Sequence, residues 1–292
     1  MELRHIRYFL AVADERNFTR AATRIGIGQP PLSQQIRDLE AEVGTALFHR
    51  VPHGAELTDA GRAFHDIVQG FPAQAARAIH AARRAARGET GVLRVGFTGT
   101  AAFDPVVQAA IRSFRGDYPE VELTLEEANT TRLVAGLSAG ELDAVFLRAT
   151  SAESEALQLR QVSAAPMIAV LPEHHPAAAS SRLRLEALRD EAFILTPRPV
   201  GPTLFDTVIA ACRDAGFEPT LGQVAPQISS VVSLVAAGLG VSVVPASMRQ
   251  LQLAGVVYRE IDGDGPVARL SLACRRSDSS GVVRNFIRHA VG

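Results

Sequence analysis

Four side chains between positions 29 and 37, Gln29, Ser33, Gln34 and Arg37, have the chemistry to read the edge of a nucleic-acid duplex. Gln and Arg present paired donors and acceptors that match base edges, and Ser and Arg hydrogen-bond phosphate oxygens. They lie opposite an apolar stripe of Leu32, Ile36, Leu39 and Val43 at helical spacing, which predicts a helix over about 30–42. A shorter helix is predicted over Phe18–Ile25, where small Ala21 and Ala22 allow a close crossing; Gly26, Ile27 and Gly28 separate the two. That is a helix-turn-helix, which sets the N-terminal part of its second helix in the DNA major groove. A buried helical hairpin with a solvated polar face is the alternative this stretch leaves open.

A second set of polar residues sits at predicted strand ends and helix starts: Thr98-Gly99-Thr100, Asn129-Thr130-Thr131, Thr196-Pro197-Arg198 and Pro202-Thr203. In open α/β sheets, ligands bind outside the carboxyl ends of strands. Helix N-termini there offer unpaired N–H groups and partial positive charge, which suit a carboxylate. Arg198 is a candidate bidentate clamp, and Arg148, at another strand end, is a second. Thr and Asn at helix starts are also ordinary caps; their convergence from several segments favours a small carboxylate-bearing metabolite.

The elements that must position these residues follow in order. Leu3–Val12 predicts a first helix covering the pair. Leu47–Arg50 and Leu57–Thr58 read as two short strands around a turn at 51–56, a wing whose tip carries Arg50 and His53 toward a minor groove or phosphate. From Thr58, an N-cap candidate, to Arg87 there is little strand signal. Phe64, Ile67, Val68, Phe71, Ala75, Ala78, Ile79 and Ala82 form an apolar stripe. Thirty helical residues span about 45 Å, with a kink expected at Gly70 and Pro72. Such a stripe needs a partner, either its own chain or the same helix of a second subunit; a dimer would present two recognition helices to a two-fold operator. Beyond the linker at 88–91, strands and helices alternate, which predicts mainly parallel sheets in two lobes with a cleft between them.

Composition narrows the function. The 292 residues, 47% hydrophobic without a long uncharged apolar run, fit a soluble chain of two or three lobes. The charged start resembles neither a secretory signal nor a membrane span, so a cytoplasmic protein is expected. All 30 basic residues are Arg. Residues 1–88 hold 12 Arg against 9 acids, and the rest 18 against 22, so a mildly basic end sits on an acidic body. Cys212 and Cys274 have no ligand spacing and read as buried reduced thiols. His174-His175-Pro176 reads as a solvated turn rather than a metal site. No GxSxG, HExxH or Walker loop is present, so no enzyme is expected, and no metal or cofactor.

The N-terminal 65 residues resemble the LysR-type transcriptional regulators. The resemblance is carried by Leu3-Arg4-His5-Ile6-Arg7-Tyr8-Phe9, Phe18-Thr19-Arg20-Ala21-Ala22, Gln29-Pro30-Pro31-Leu32-Ser33, Leu39-Glu40, Gly44, Leu47-Phe48 and Leu57-Thr58-Asp59-Ala60-Gly61. It continues through Pro119-Glu120-Val121, Gly140-Glu141-Leu142-Asp143-Ala144 and Leu234–Pro245. It implies an α/β protein with an α-helical, winged N-terminal part: a winged helix-turn-helix (1–58), a linker and dimerisation helix (59–88) and a two-lobed effector domain like periplasmic solute-binding proteins (89–292). The lobes would comprise about 90–161 with 267–292, and about 162–266. The implied DNA-contacting positions are Gln29, Pro30, Pro31, Ser33, Gln34, Arg37, Arg50 and His53.

The implied partners are double-stranded DNA with a pseudo-palindromic operator, a small organic acid, copies of the chain in a dimer of dimers, and RNA polymerase. Gly28 and His53 depart from the family's usual Ser/Thr cap and wing Arg. The second half looks most like regulators of aromatic-compound degradation, whose effectors would be muconate- or benzoate-like acids. A cytoplasmic solute-binding protein, or a regulator without an effector, is the alternative.

Overall fold

Asn17 starts the short helix of the pair: its Oδ1 accepts from the backbone N–H groups of Thr19 (2.9 Å) and Arg20 (3.0 Å). The computed structural model describes residues 1–52, 54–150, 157–278 and 280–292, and divides into two compact units, Met1–Arg83 and Arg84–Gly292.

In the first unit, α1 (Leu3–Glu15), α2 (Phe18–Ile25) and α3 (Gln29–Val43) precede a hairpin of β1 (Phe48–Val51) and β2 (Gly54–Leu57). Ile6, Phe9, Val12, Ala21, Ala22, Leu32, Ile36, Leu39 and Leu47 make its core, and Phe9 packs edge-on to Phe64 at 5.0 Å. The hairpin is tighter than the sequence suggested. Val51 pairs with Gly54, so both strands reach into the 51–56 stretch expected as turn. Glu40 ties it to α3, its Oε1 accepting from the N–H groups of Leu47 (2.8 Å) and Phe48 (3.1 Å).

Thr58 caps α4 (Asp59–Val68), its hydroxyl accepting from the Gly61 N–H at 2.8 Å and donating to the Ala46 carbonyl. Gly61 is where helix and wing touch: a Cβ there would lie 2.0 Å from the Leu47 carbonyl oxygen. The expected kink is a break. α4 ends at Val68 and α5 runs from Phe71 to Ala86, with Gln69 and Gly70 between them. No residue of α5 is buried, and Ile79 is 54% exposed.

The second unit begins as Arg84, in the last turn of α5, pairs with both carboxylate oxygens of Glu120 at 2.7 and 3.0 Å. Nearby, buried Asn285 donates to the carbonyls of Arg87 and Gly88. Then come β3 (Gly91–Phe97), α6 (Pro105–Asp117), β4 (Val121–Glu127), α7 (Thr130–Ser138) and β5 (Ala144–Leu147), with β3 parallel to both β4 and β5. The sequence predicts separate strands at 157–162 and 167–171; the structure has one, β6 (Leu157–Pro172).

After β6 come β7 (Arg182–Leu183), β8 (Ala192–Leu195), α8 (Pro202–Asp214), β9 (Thr220–Val224), α9 (Ile228–Ala236), β10 (Ser242–Pro245), β11 (Val256–Ile261), β12 (Val267–Arg275) and α10 (Gly281–Val291). β11 was not anticipated, because its residues alternate weakly between apolar and charged.

The expectation of mainly parallel sheets is corrected. β12 runs antiparallel to β5 and β6, and β6 runs antiparallel to β10 and β11. The parallel pairs are β3 with β4 and β5, β7 with β11, and β8 with β9. The reason is β6 itself. Its first half pairs with β12 and its second half with β10 and β11, so one strand belongs to both halves of the unit. Separate cores flank it, one around Phe114, Phe146 and Phe286, another around Met167, Phe193 and Cys212. Val162 has no partner in the β12 ladder, a bulge at the crossing.

Two of the resemblance-bearing runs find physical reasons here. Asp143 accepts from the backbone N–H of Arg94 (2.9 Å), from its guanidinium (3.0 and 3.1 Å) and from Arg275 (3.3 Å), joining β3, β5 and β12. Gly240, at φ 151°, lets the chain pass the Ala192 carbonyl, which a Cβ would approach to 2.2 Å.

Candidate functional site

On α3, the expected polar face is sorted by burial. Gln34, Arg37, Pro30 and Pro31 are exposed, and Gln29 is half-buried. Ser33 is only 4% exposed; its hydroxyl accepts from the Gln29 amide at 2.8 Å. The buried stripe is therefore Leu32, Ser33, Ile36 and Leu39, while Val43, expected on it, is 40% exposed. The outer face carries a short relay: Arg37 donates to Gln34 (2.5 Å), and Gln34 donates to Asp38 (2.8 Å).

Gly28 stands at the N-cap without a side-chain cap, followed by two prolines. Its Cβ position lies 3.3 Å from the Pro31 ring, so any larger residue meets that ring. On the wing, Arg50 is exposed with its guanidinium carbon 5.0 Å from the Phe18 ring centroid. His53 lies outside the described residues.

In the second unit, five parallel-strand carboxyl ends open onto one cleft of about 730 Å³. Thr98, Gly99 and Thr100 follow β3, Asn129 and Thr130 follow β4, Arg148 follows β5, and Thr196 follows β8. Thr203, in the first turn of α8, joins them. Three helices begin at this lining. Asn129 caps α7 by accepting from the Arg132 N–H at 2.8 Å. Gly201 and Gln227, at the starts of α8 and α9, provide no side-chain cap.

Arg148 is the charged group at the bottom of the cleft, 4% exposed. One Nη donates to the Thr100 hydroxyl, and its carbonyl accepts from the Thr203 hydroxyl at 2.8 Å. Among the described residues its Nε and other Nη have no partner, and neither does the buried Thr98 hydroxyl. Burial pulls the guanidinium down to about 10, opposed by the charge of buried Asp104. Asp104 is occupied in capping α6, accepting from the Val106 N–H at 3.1 Å.

Two expected residues are not brought to this lining. Arg198 is an exposed arginine paired through two bonds with Asp206 (2.7 and 2.9 Å), which holds that carboxyl below its usual range. Pro197 instead turns the chain, its carbonyl accepting from Val200 and Gly201. The cause is sequence-local: Asp206 lies one turn into the helix after the Arg198 loop.

The residues missed are Phe103, Glu127, Leu204, Gln227, Ile228 and Ser229. Gln227 follows β9, a strand end the sequence offers in the same way as those of β3, β4 and β8, and Glu127 closes β4 two residues before Asn129. His175, half-buried, bonds Glu191 and caps a short turn at Ala177. Both cysteines are free and buried; desolvation pushes the Cys212 thiol up to about 11. Among the described residues no helix is long and apolar enough to cross a membrane.

A winged helix-turn-helix followed by a cleft-bearing α/β unit is the make-up of a ligand-responsive DNA-binding regulator. Comparison agrees. Residues 3–62 match the family of bacterial regulatory helix-turn-helix proteins of the lysR type, and residues 86–292 match the LysR substrate binding domain. The chain belongs to the LysR family of transcriptional regulators.

Its relatives include the HTH-type transcriptional regulator BudR of Raoultella terrigena, 39% identical over 287 residues that cover 98% of this chain and 99% of that one. AlsR of Bacillus subtilis is 36% identical, covering 98% and 94%. A crystal structure of CbnR, a LysR family transcriptional regulator, matches with a TM-score of 0.82 at 28% identity, covering 99% of this chain and 100% of that one. CbnR complexed with its target DNA matches equally well, at 0.82 and 27% identity, with 99% and 98% covered. The protein is therefore a DNA-binding transcriptional regulator with a small-molecule effector domain, and the relatives are regulators rather than enzymes.

Proposed function

We propose that this regulator senses a small carboxylic acid bound at Arg148 in the cleft of its second unit, and changes its grip on DNA in response. The observation that carries the reading is the buried guanidinium with two donors unpartnered, beside the unpartnered Thr98 hydroxyl. A buried charge without its hydrogen bonds is costly. A carboxylate accepting from Nε and Nη would satisfy it in the usual side-on geometry. The starts of α7, α8 and α9 add partial positive charge at the same opening.

On this reading Gln29, Gln34 and Arg37 reach base edges, Pro30 and Pro31 set the helix entry, and Arg50 and His53 meet the flanking backbone or minor groove. Ser33 positions Gln29. The apolar stripe of 59–88 pairs two chains, and two such pairs occupy a pseudo-palindromic operator as a dimer of dimers. The regulator works in the cytoplasm, and effector binding alters DNA bending and the approach of RNA polymerase.

The test is calorimetric titration of the full-length protein with a panel of small acids and their neutral amides, in wild type and Arg148→Met. Acids should bind and amides should not, with binding lost in the variant. Preference for the amides, or unchanged affinity for acids in Arg148→Met, would sink the carboxylate reading. Footprinting on the upstream region with and without a binding acid tests the response; an unaltered footprint at saturation counts against it.

A further inference from the structure

The charges around the cleft constrain the far end of the effector as well as the end held by Arg148. Among the described residues two charged side chains line it, Arg148 at the bottom and Glu127 at the last residue of β4. Glu127 is exposed, and its side chain has no hydrogen bond or ion pair with another described residue; Arg132 pairs with the neighbouring Glu126 instead. It sits over the β3 end: a Cβ on Gly99 would fall 2.9 Å from its Oε1. Behind Arg148 stands buried Asp104, so the one cation already has a neighbouring anion. The uncharged lining mixes threonine hydroxyls with the apolar Phe103, Leu204 and Ile228. The cleft thus holds one cation, buried at its bottom, and one carboxylate, exposed on its wall.

We infer that the effector is a monocarboxylate whose other end bears a hydrogen-bond donor, and that Glu127 selects against dicarboxylates. This rests on the carboxylate reading for Arg148. A carboxylate side chain accepts and never donates when ionised, so a hydroxyl or ammonium satisfies Glu127. A second effector carboxylate meets like charge there, and among the described residues no second cation lines the cleft to offset it. Across a part-solvated gap, one like-charge contact is worth on the order of tenfold in affinity, or ~1.4 kcal/mol. Of the acids the family resemblance brought forward, benzoate-like monoacids carrying a hydroxyl fit this pattern and muconate-like diacids do not.

The test uses full-length protein and calorimetric titration with matched triples that differ only at the far end: methyl, hydroxyl or carboxylate. Straight chains from acetate length to octanoate length are included, with toluate, 4-hydroxybenzoate and terephthalate as the aromatic triple. At the best-fitting length, the hydroxy acid should bind about tenfold more tightly than the diacid. Glu127→Gln should remove that gap by raising diacid affinity, while affinity for the methyl-ended acid stays unchanged.

Diacid binding at least as tight as hydroxy acid in wild type overturns the inference, as does a gap that survives in Glu127→Gln. If no member of any triple binds, the Arg148 reading fails and this inference falls with it. Binding of monoacids that disappears in Arg148→Met, without discrimination at the far end, refutes the Glu127 inference alone. Glu127 is exposed, so its amide variant is expected to fold; unchanged thermal unfolding confirms that.

Discussion

Replacing Arg148 with Met should stabilise the unliganded protein while abolishing its response to acids. The guanidinium is buried, with two of its donor groups unpartnered, and burial draws it down to about 10. Relative to a solvated guanidinium, that depression is a penalty of roughly 3 kcal/mol for carrying the charge in the folded state. The folded value lies below the unfolded one, so stability is lost as pH falls through about 10. Below that pH both states are protonated and the penalty is full and constant. A methionine fills similar space with a flexible apolar chain.

The loss of the donor to Thr100 returns about 1 kcal/mol, and imperfect packing takes back more. The net gain is ~1–2 kcal/mol, an upward Tm shift of about 3–6 °C for a unit of this size. Thermal unfolding followed by circular dichroism, without ligand, should show the same gain at any pH between about 6 and 9. The wild-type Tm should rise on adding a binding acid, and the variant's should not. A variant Tm below wild type would refute the reasoning, because the guanidinium would then be a strut of the empty cleft rather than an unsatisfied charge awaiting a ligand.

Other substitutions separate structural from DNA-facing roles. Gly61→Ala places a methyl 2.0 Å from the Leu47 carbonyl and should cost ~3 kcal/mol or more, seen as a lowered unfolding transition and lost operator binding. Asp143→Ala removes the acceptor of the Arg94 guanidinium and backbone N–H and one of the acceptors of Arg275, which keeps Asp278, and should destabilise the second unit by ~1–3 kcal/mol in denaturant titration; no measurable loss would mean the joint is redundant. Arg37→Ala should cost ~1–3 kcal/mol of operator affinity, concentrated at one base pair, whereas Arg50→Ala should weaken all sequences alike and lower the salt dependence by about one ion. Ser33→Ala, at a buried position serving Gln29, should cost less than Arg37→Ala in the same gel-shift titration; the reverse order would put Ser33 on the DNA.

The helix-turn-helix was legible because its signals are local. Small residues at the crossing, a glycine turn and a stripe of period near four each depend on a few neighbours. What failed there was the stripe's width: four-residue spacing placed Ser33 outside, but α1 and α2 cover α3 broadly enough to bury it. In the second unit the strand-end rule located eight of the ten proposed cleft residues in the lining. It misjudged Arg198, since a loop arginine beside an acidic helix turn is captured by the nearer carboxylate. The antiparallel character of half the sheet was hidden for a different reason. Strand direction depends on which distant segments pair, and nothing in the local pattern of 157–172 says that one strand serves two halves. Arg148 itself stood out only as an arginine after a run of buried apolar residues, Ala144–Leu147, and its unmet donors emerge only in three dimensions.

The strand that serves both halves has a mechanical consequence. A protein whose lobes are joined by loops can swing them apart like a door, but here β6 passes between them as one continuous strand, with β12 alongside its first half. Swinging would tear backbone hydrogen bonds; twisting would not. The compliant response is torsion along the strand, with the unpaired Val162 as its softest point. An effector closing on Arg148 would then be read out as a small angle, stiffly transmitted, and the amides of 157–166 that bond β12 should stay protected from exchange in both states, with Val162 excepted.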